Sequence, residues 1–123
     1  MKYAIFCYSS ERVVSGLSRE ADDAMLRTLA ETQVQLDAEG RLGAVARLLP
    51  TTSAVTVRHG AGEPLVLDGP FAETKEQLLG FYLVECESLE AAVDAAKRLT
   101  HGRTPGSLEI RPLRSFRDYG AVQ

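Results

Sequence analysis

The chain has 123 residues, of which 45% are hydrophobic and 25% are charged. These proportions are ordinary for one folded globular domain and exclude a disordered chain. The net charge of −3, from 17 acidic and 14 basic side chains, argues against a nucleic-acid partner, because no basic cluster with interleaved aromatic residues is present to attract phosphate.

The N-terminal segment predicts where the protein acts. No apolar run approaches the roughly 20 residues that span a bilayer, and residues 1–8 are too short for a signal peptide and lack a small-residue cleavage site. We therefore expect a cytoplasmic protein with no membrane partner. In that reducing compartment Cys7 and Cys86, the only two cysteines, are expected to be buried free thiols.

The first predicted element is a strand. Residues 2–8 are apolar or aromatic at both alternating sets of positions, which favours a central strand covered on both faces. Residues 9–17 are polar and contain Gly16, so we expect a loop there.

A helix is predicted over residues 18–39. Ser18 is suited to cap its N-terminus, and Gly40 lies where a C-terminal cap belongs. Gln33 interrupts the apolar stripe of this helix, which is otherwise formed by Met25, Leu26, Leu29, Ala30 and Leu36.

The rest of the chain continues this alternation of strands and helices. An apolar segment over residues 42–49 is followed by a hairpin of two strands, over residues 54–59 and 64–67. A strand over residues 80–86 leads to a helix that Ser88 caps and that Gly102 helps to end, and a last strand contains Leu108 and Ile110. Residues 119–123 form a predicted C-terminal tail after a single domain of residues 1–118.

The order of elements predicts an α+β fold. Two right-handed β-α-β units combine most simply into one antiparallel sheet with both helices on one face, a ferredoxin-like sandwich with an inserted hairpin. We expect Phe6, Tyr8, Tyr82 and Val84 to lie on the uncovered face. Because soluble proteins rarely expose so large an apolar face, we predict a two-fold homodimer that packs sheet to sheet as a dimeric α/β barrel.

A rigid corner is predicted at residues 68–71, between two strand-like segments. Asp and Gly tolerate unusual backbone angles and Pro fixes its own, so Asp68-Gly69-Pro70-Phe71 specifies a defined turn. Charged and hydroxyl side chains follow directly at residues 73–76. Such a segment has two interpretations, a binding site displayed on a rigid backbone or ordinary turn chemistry beside a solvated helical turn.

The candidate site residues are Asp68, Phe71, Thr74, Lys75 and Glu76. Asp68 is the candidate catalytic residue, as a general base or as an anchor for a polar ligand group, although it is also suited to lock the corner through backbone hydrogen bonds. Phe71 is expected to be a core anchor rather than a platform for a ligand. Lys75 and Glu76 either line a cleft or form an exposed ion pair worth less than about 1 kcal/mol.

Other chemistry has little support in the sequence. His59 and His101 fit surface positions, and no histidine or cysteine spacing predicts a metal site. No esterase elbow, P-loop or dinucleotide-binding motif occurs, so no cofactor is expected. The last quarter of the chain contains five arginines that form either an anion-binding patch or a solvated rim, namely Arg98, Arg103, Arg111, Arg114 and Arg117.

The segment DGPFAETKEQLLGFYLVE, residues 68–85, resembles the signature of the DGPF family, the YCII-related domain proteins. The opening KYAIFCY strand, the helix that ends at residues 38–40 and the closing strand at residues 107–112 match in the same order. The resemblance implies the ferredoxin-like dimeric fold and says little about a reaction. A related YciI branch is associated with a His-Asp pair, but residues 18–39 contain no histidine, so that pair is not transferred.

Two functions therefore stay open. The first is a protein that binds or transforms a small polar metabolite in a cleft beside Asp68. The second is a non-enzymatic interaction or regulatory module, since the resemblance also implies a link to extracytoplasmic-function sigma factors. A concave, partly apolar space beside Asp68 favours the first, whereas a filled corner favours the second.

Overall fold

A computed structural model describes residues 1–120, so of the predicted tail at 119–123 the last three residues lie outside the described part. Four strands form one antiparallel sheet in the order β2-β5-β1-β6, and two form a separate hairpin. This is the predicted α+β, ferredoxin-like arrangement. The elements are β1 (Lys2–Ser9), α1 (Glu11–Ser15), α2 (Arg19–Ala38), β2 (Leu42–Arg47), a 3-10 turn (Thr51–Ser53), β3 (Val55–Arg58), β4 (Leu65–Asp68), β5 (Gln77–Glu85), α3 (Leu89–Leu99) and β6 (Gly106–Pro112).

The two long helices begin at the predicted capping residues. The Ser18 hydroxyl accepts a hydrogen bond from the amide of Ala21 at 3.0 Å, and Gly40 follows α2 with a φ of +74°. The prediction of a loop over residues 9–17 was wrong in part, because Ser10 caps the additional short helix α1. Among the described residues, no helix is both long enough and apolar enough to cross a membrane.

The register of the sheet decides which side chains the helices cover. Ile5 lies opposite Tyr82 and Tyr3 lies opposite Val84, so these four side chains share the face beneath α2 and α3. The prediction that Tyr82 and Val84 lie on the uncovered face was therefore wrong: they are only 3% and 1% exposed. Both cysteines are free and buried, as predicted, and they join the core with Leu36, Ala92, Ala95, Ala96 and Leu99.

The opposite face of the sheet has an aromatic centre. Phe6 of β1 lies directly opposite Phe81 of β5, and both rings are half-buried. On the edge strand β6, Glu109 lies opposite Phe6 and Arg111 lies opposite Ala4, so this face carries both signs of charge. No helix within residues 1–120 covers it.

The hairpin formed by β3 and β4 is a separate two-stranded sheet. Its apolar side chains are exposed at positions on both strands, which is unusual for a hairpin of a monomeric protein. They are Val55, Val57, Leu65, Val66 and Leu67.

Candidate functional site

A cavity of about 360 Å³ lies between α2 and one end of the main sheet. At this end β1 and β2 finish and β5 and β6 begin, and the pairing of β1 with β5 shifts register between Cys7 and Tyr8. Irregularities of this kind bend a strand and re-aim its side chains, and they are common next to active sites. The wall of the cavity is mainly aliphatic and includes Met25, Leu26, Leu29, Val45 and Leu108.

Three polar side chains meet on one wall of the cavity. The carboxamide nitrogen of Gln33 donates to the phenol oxygen of Tyr82 at 3.3 Å, and Arg103 donates to the same oxygen through Nη2. The guanidinium carbon of Arg103 also lies 5.5 Å from the centre of the Tyr82 ring, a cation–π distance. The phenol therefore holds together a side chain of α2, a strand of the sheet and the loop that follows α3.

The end of α3 fixes the position of Arg103. The last carbonyl groups of a helix have no partner within the helix, and the Arg103 Nε donates to one of them, that of Leu99, at 2.7 Å. Thr100 is the C-cap, and Gly102 takes a φ of +81° that turns the chain out of the helix. Arg103 is consequently half-buried and lines the cavity.

The loop between α3 and β6 is held against β1. The Ser9 hydroxyl donates to the carbonyl of Pro105 at 2.8 Å and lies 3.0 Å from the Thr104 hydroxyl. Gly106 pairs with Ser9, and a Cβ atom at that position would overlap the backbone carbonyl of Tyr8. The close approach of these strands therefore requires glycine, and it closes the cavity at this side.

Cys7 contributes a thiol to the cavity wall. Burial raises the pKa of this thiol, and the nearby Arg103 charge opposes that increase with a smaller effect. Because the thiolate is the reactive form, a thiol whose pKa is raised acts here as a small apolar wall group. The structure thus provides no activated nucleophile at Cys7.

A second, more open pocket of about 590 Å³ adjoins the first and shares Val14, Arg47 and Leu79 with it. Three of its four charged side chains, Glu11, Asp22 and Arg47, have partners in the protein. Arg47 forms an ion pair with Asp22 at 3.4 Å, and the Glu11 carboxylate accepts a hydrogen bond from the amide of Thr51 at 2.9 Å. Arg19 is its remaining charged side chain and is exposed to solvent, unlike the half-buried Arg103 of the cavity beside Tyr82.

The corner at residues 68–71 is tied to the hairpin by hydrogen bonds of Gly69. Gly69 has a φ of +95°, its amide donates to the carbonyl of Ala54 at 2.7 Å, and its carbonyl accepts from the Thr56 hydroxyl at 2.8 Å. These bonds tie the corner to β3. The expectation that Phe71 anchors the core of the protomer was wrong, because its side chain is 78% exposed; the hairpin stands apart from the main sheet and offers no core to it.

The predicted site residues lie together on this exposed segment. The Thr74 hydroxyl donates to the carbonyl of Glu76 at 2.6 Å, within the segment itself, and Asp68, Lys75 and Glu76 are exposed. None of these residues lines either of the two cavities. The predicted site and the observed cavity are therefore different places in the protein.

No metal cluster is assembled by the described residues. Within residues 1–120, no three His, Cys, Asp or Glu side chains are grouped so that they could hold a metal ion. His59 and His101 are exposed.

Gln33, Tyr82 and Arg103, the three polar residues that meet on one wall of the cavity, were not predicted as a group from the sequence. Arg103 was considered only as one of five arginines near the C-terminus, and Tyr82 was placed on the wrong face. Gln33 gave the one usable signal, because a polar residue inside the apolar stripe of α2 needs a buried partner. That partner is Tyr82, which is 49 residues away along the chain.

Two comparisons with known proteins identify the family of this chain. A model of the YCII-related domain family matches residues 1–117. An uncharacterized protein of Rhizobium meliloti (strain 1021) is 52% identical over 118 residues, which cover 95% of this chain and 95% of that protein. Both matches extend over nearly the whole chain, so they include the cavity as well as the corner. The chain belongs to the YCII-related domain family.

Proposed function

We propose that this protein binds a small molecule in the cavity between α2 and the sheet. The observation that carries the proposal is the convergence of Gln33, Tyr82 and Arg103 on one wall of a mainly aliphatic cavity. Small-molecule sites usually have volumes of roughly 300–1,000 Å³, apolar linings and a few well-placed polar groups. The cavity has all three properties.

The chemistry of the cavity favours binding over catalysis. No carboxylate or imidazole is among the described residues that line it, so the side chains there that can act as a general acid or base are the phenols of Tyr8 and Tyr82 and the Cys7 thiol. Arg103 can only donate hydrogen bonds, and the Cys7 thiol is kept protonated by burial. Arg103 and Cys7 therefore hold and orient a ligand without moving a proton to or from it, which leaves the two phenols as the proton donors of the cavity.

The corner at Asp68 is the second candidate site. Its support is a fixed backbone that displays the Asp68 carboxylate to solvent, with Phe71, Thr74, Lys75 and Glu76 on the same segment. A ligand at this corner would be a polar metabolite, with Asp68 as its acid, base or anchor. Such a site needs a second surface to make a cleft, and a second protomer is the natural source of that surface.

The protein is proposed to act as a homodimer through the uncovered sheet face. Phe6 and Phe81 form the apolar centre of this face, while Glu109 and Arg111 lie on its edge strand. A two-fold interface has to be complementary to itself, and a face with an apolar centre and both signs of charge at one edge meets that condition. The occupant of the face is therefore a second copy of this chain.

The alternative function is a non-enzymatic interaction or regulatory module. It is favoured by the exposed apolar side chains of the β3–β4 hairpin, Val57 and Val66 among them, because apolar patches of this kind mark protein interfaces. The predicted partner on this alternative is an extracytoplasmic-function sigma factor. A cytoplasmic location is part of both proposals.

A thermal-shift screen with three variants separates these functions. Leu26→Trp narrows the cavity, Ala30→Trp places the same ring on an exposed position of the same helix, and Asp68→Asn removes the charge at the corner. We expect a ligand that raises the melting temperature of the wild type to raise that of Ala30→Trp and Asp68→Asn equally and to fail with Leu26→Trp. Loss of the shift only in Asp68→Asn would move the site to the corner, and no shift from any metabolite would favour the interaction module.

A further inference from the structure

Arg103 has hydrogen-bonding capacity that the described residues do not use. Its guanidinium carries five N–H groups, and the described residues accept from two of them, at the Leu99 carbonyl and the Tyr82 phenol. No carboxylate within residues 1–120 forms an ion pair with it, whereas Arg98 and Arg47 are both paired. A half-buried cation without a counter-charge is costly, so the cavity has a place for an anion.

Tyr82 has a proton to donate. Gln33 and Arg103 both donate to its phenol oxygen, so the hydroxyl hydrogen itself points away from these two donors. The side chain is almost fully buried, and within the described residues the hydroxyl donates to no acceptor. The cavity therefore presents a neutral donor beside the free N–H groups of Arg103.

The remaining wall limits the anion to one charge and an apolar body. Met25, Leu26 and Leu29 line the side formed by α2, and Leu108 lines the side formed by the sheet. A second negative charge would have no partner, because Arg47, the other cation of the cavity, is paired with Asp22. A doubly charged phosphate monoester would leave one charge uncompensated among aliphatic groups.

We propose that the ligand is a small monocarboxylate with an aliphatic or aromatic body. The carboxylate accepts from the free N–H groups on the two Nη atoms of Arg103, the bidentate geometry that guanidinium groups favour, and from the hydroxyl of Tyr82. The body of the ligand packs among the side chains of α2. This inference rests on the proposed function, since it names the chemical class that the same cavity takes.

The test compares acids with alcohols of the same carbon skeleton. Hexanoate, octanoate and phenylacetate are titrated into the full chain by calorimetry, beside hexanol, octanol and 2-phenylethanol. We expect at least one acid to bind at least tenfold more tightly than its alcohol. Equal binding of acid and alcohol overturns the inference and leaves the proposed function standing, whereas saturable binding of none of the six contradicts both.

Substitution of Arg103, compared with a control substitution of Arg98, tests whether Arg103 causes the preference for an acid over its alcohol. Arg103→Gln is expected to lower the affinity for the acid at least tenfold and to leave binding of the alcohol within about twofold. The matched control is Arg98→Gln, which removes an arginine of α3 that lies outside the cavity. If Arg103→Gln is too unstable to measure, Tyr82→Phe tests the other donor, and an unchanged preference for the acid in a folded variant overturns the assignment.

Discussion

The Arg103 guanidinium and the Tyr82 phenol are joined by a hydrogen bond at the inner wall of the cavity, although they belong to a loop and to a central strand. The same guanidinium closes the end of α3 through the carbonyl of Leu99. The same side chain, Arg103, therefore forms the polar wall of the cavity and closes the C-terminal end of α3.

Tyr82→Phe removes the phenol oxygen and leaves the ring in place. The variant is expected to fold and to lose about 2–4 kcal/mol of unfolding free energy, since two hydrogen bonds to a buried oxygen disappear and one of them comes from a charged guanidinium. Urea unfolding followed by circular dichroism measures the change. A variant that is as stable as the wild type would mean that the hydrogen bonds from Gln33 and Arg103 to the phenol do not stabilise the folded state.

Phe6→Lys places a charge at the centre of the uncovered sheet face. Sedimentation at micromolar concentration is expected to give a dimer for the wild type and a monomer for this variant, because a buried unpaired charge opposes association. Val34→Lys is the control, since Val34 is exposed on α2 and lies away from the face. A wild-type chain that sediments as a monomer, or a Phe6→Lys variant that still dimerises, would contradict the proposed dimer interface.

Gly102→Ala is expected to destabilise the protein by about 1–3 kcal/mol. The residue has a φ of +81°, and an added Cβ would lie 2.7 Å from the Cγ2 atom of Thr28 on α2. Gly62→Ala is the matched control, because no atom lies within 4 Å of a Cβ at that position. Thermal unfolding of both variants measures the difference, and equal melting temperatures would contradict the account of how α3 ends.

Glu39 makes the stability of the protein sensitive to acid. Hydrogen bonds from Arg98 at 2.9 and 2.8 Å lower the pKa of this carboxyl in the folded state. Its contribution is therefore present above the unfolded-state pKa of about 4.3 and is lost as the pH falls through the lower folded-state value.

Glu39→Gln is expected to flatten the dependence of unfolding free energy on pH below about pH 5. The matched control is Glu31→Gln on the exposed side of the same helix, which should leave the slope unchanged. Urea unfolding across this pH range provides the comparison. An unaltered slope in Glu39→Gln would show that the ion pair between α2 and α3 does not form in solution.

Local chemistry predicted the helices well. Ser18 and Gly40 act on their own neighbours, through an N-cap hydrogen bond and a positive φ, so four or five residues of sequence contain the information. The same is true of the corner at Gly69, whose backbone angle follows from residue type.

Residue type alone could not predict on which face of the sheet a side chain lies when both faces of its strand are apolar. In β5 both alternating sets of residues are apolar, so the pattern allows Tyr82 on either face, and only the pairing of Tyr82 with Ile5 decides between them. Phe71 is a related case, because its aromatic side chain predicts burial while the hairpin that precedes it lies away from the core.

The polar wall of the cavity depends on contacts that are remote in sequence. Gln33 and Arg103 are 49 and 21 residues from Tyr82, and neither separation corresponds to a motif. An unexplained polar residue in an apolar helix stripe was the only trace of this wall in the sequence.

The most direct test of the cavity as the binding site is a methyl NMR titration of the full chain with octanoate. We expect the methyl resonances of Leu29 and Leu108, which line the cavity, to shift in a saturable way, while those of Val57 and Leu65 on the hairpin do not. Shifts confined to the hairpin, or no saturable shift at the cavity methyl groups, would contradict this expectation.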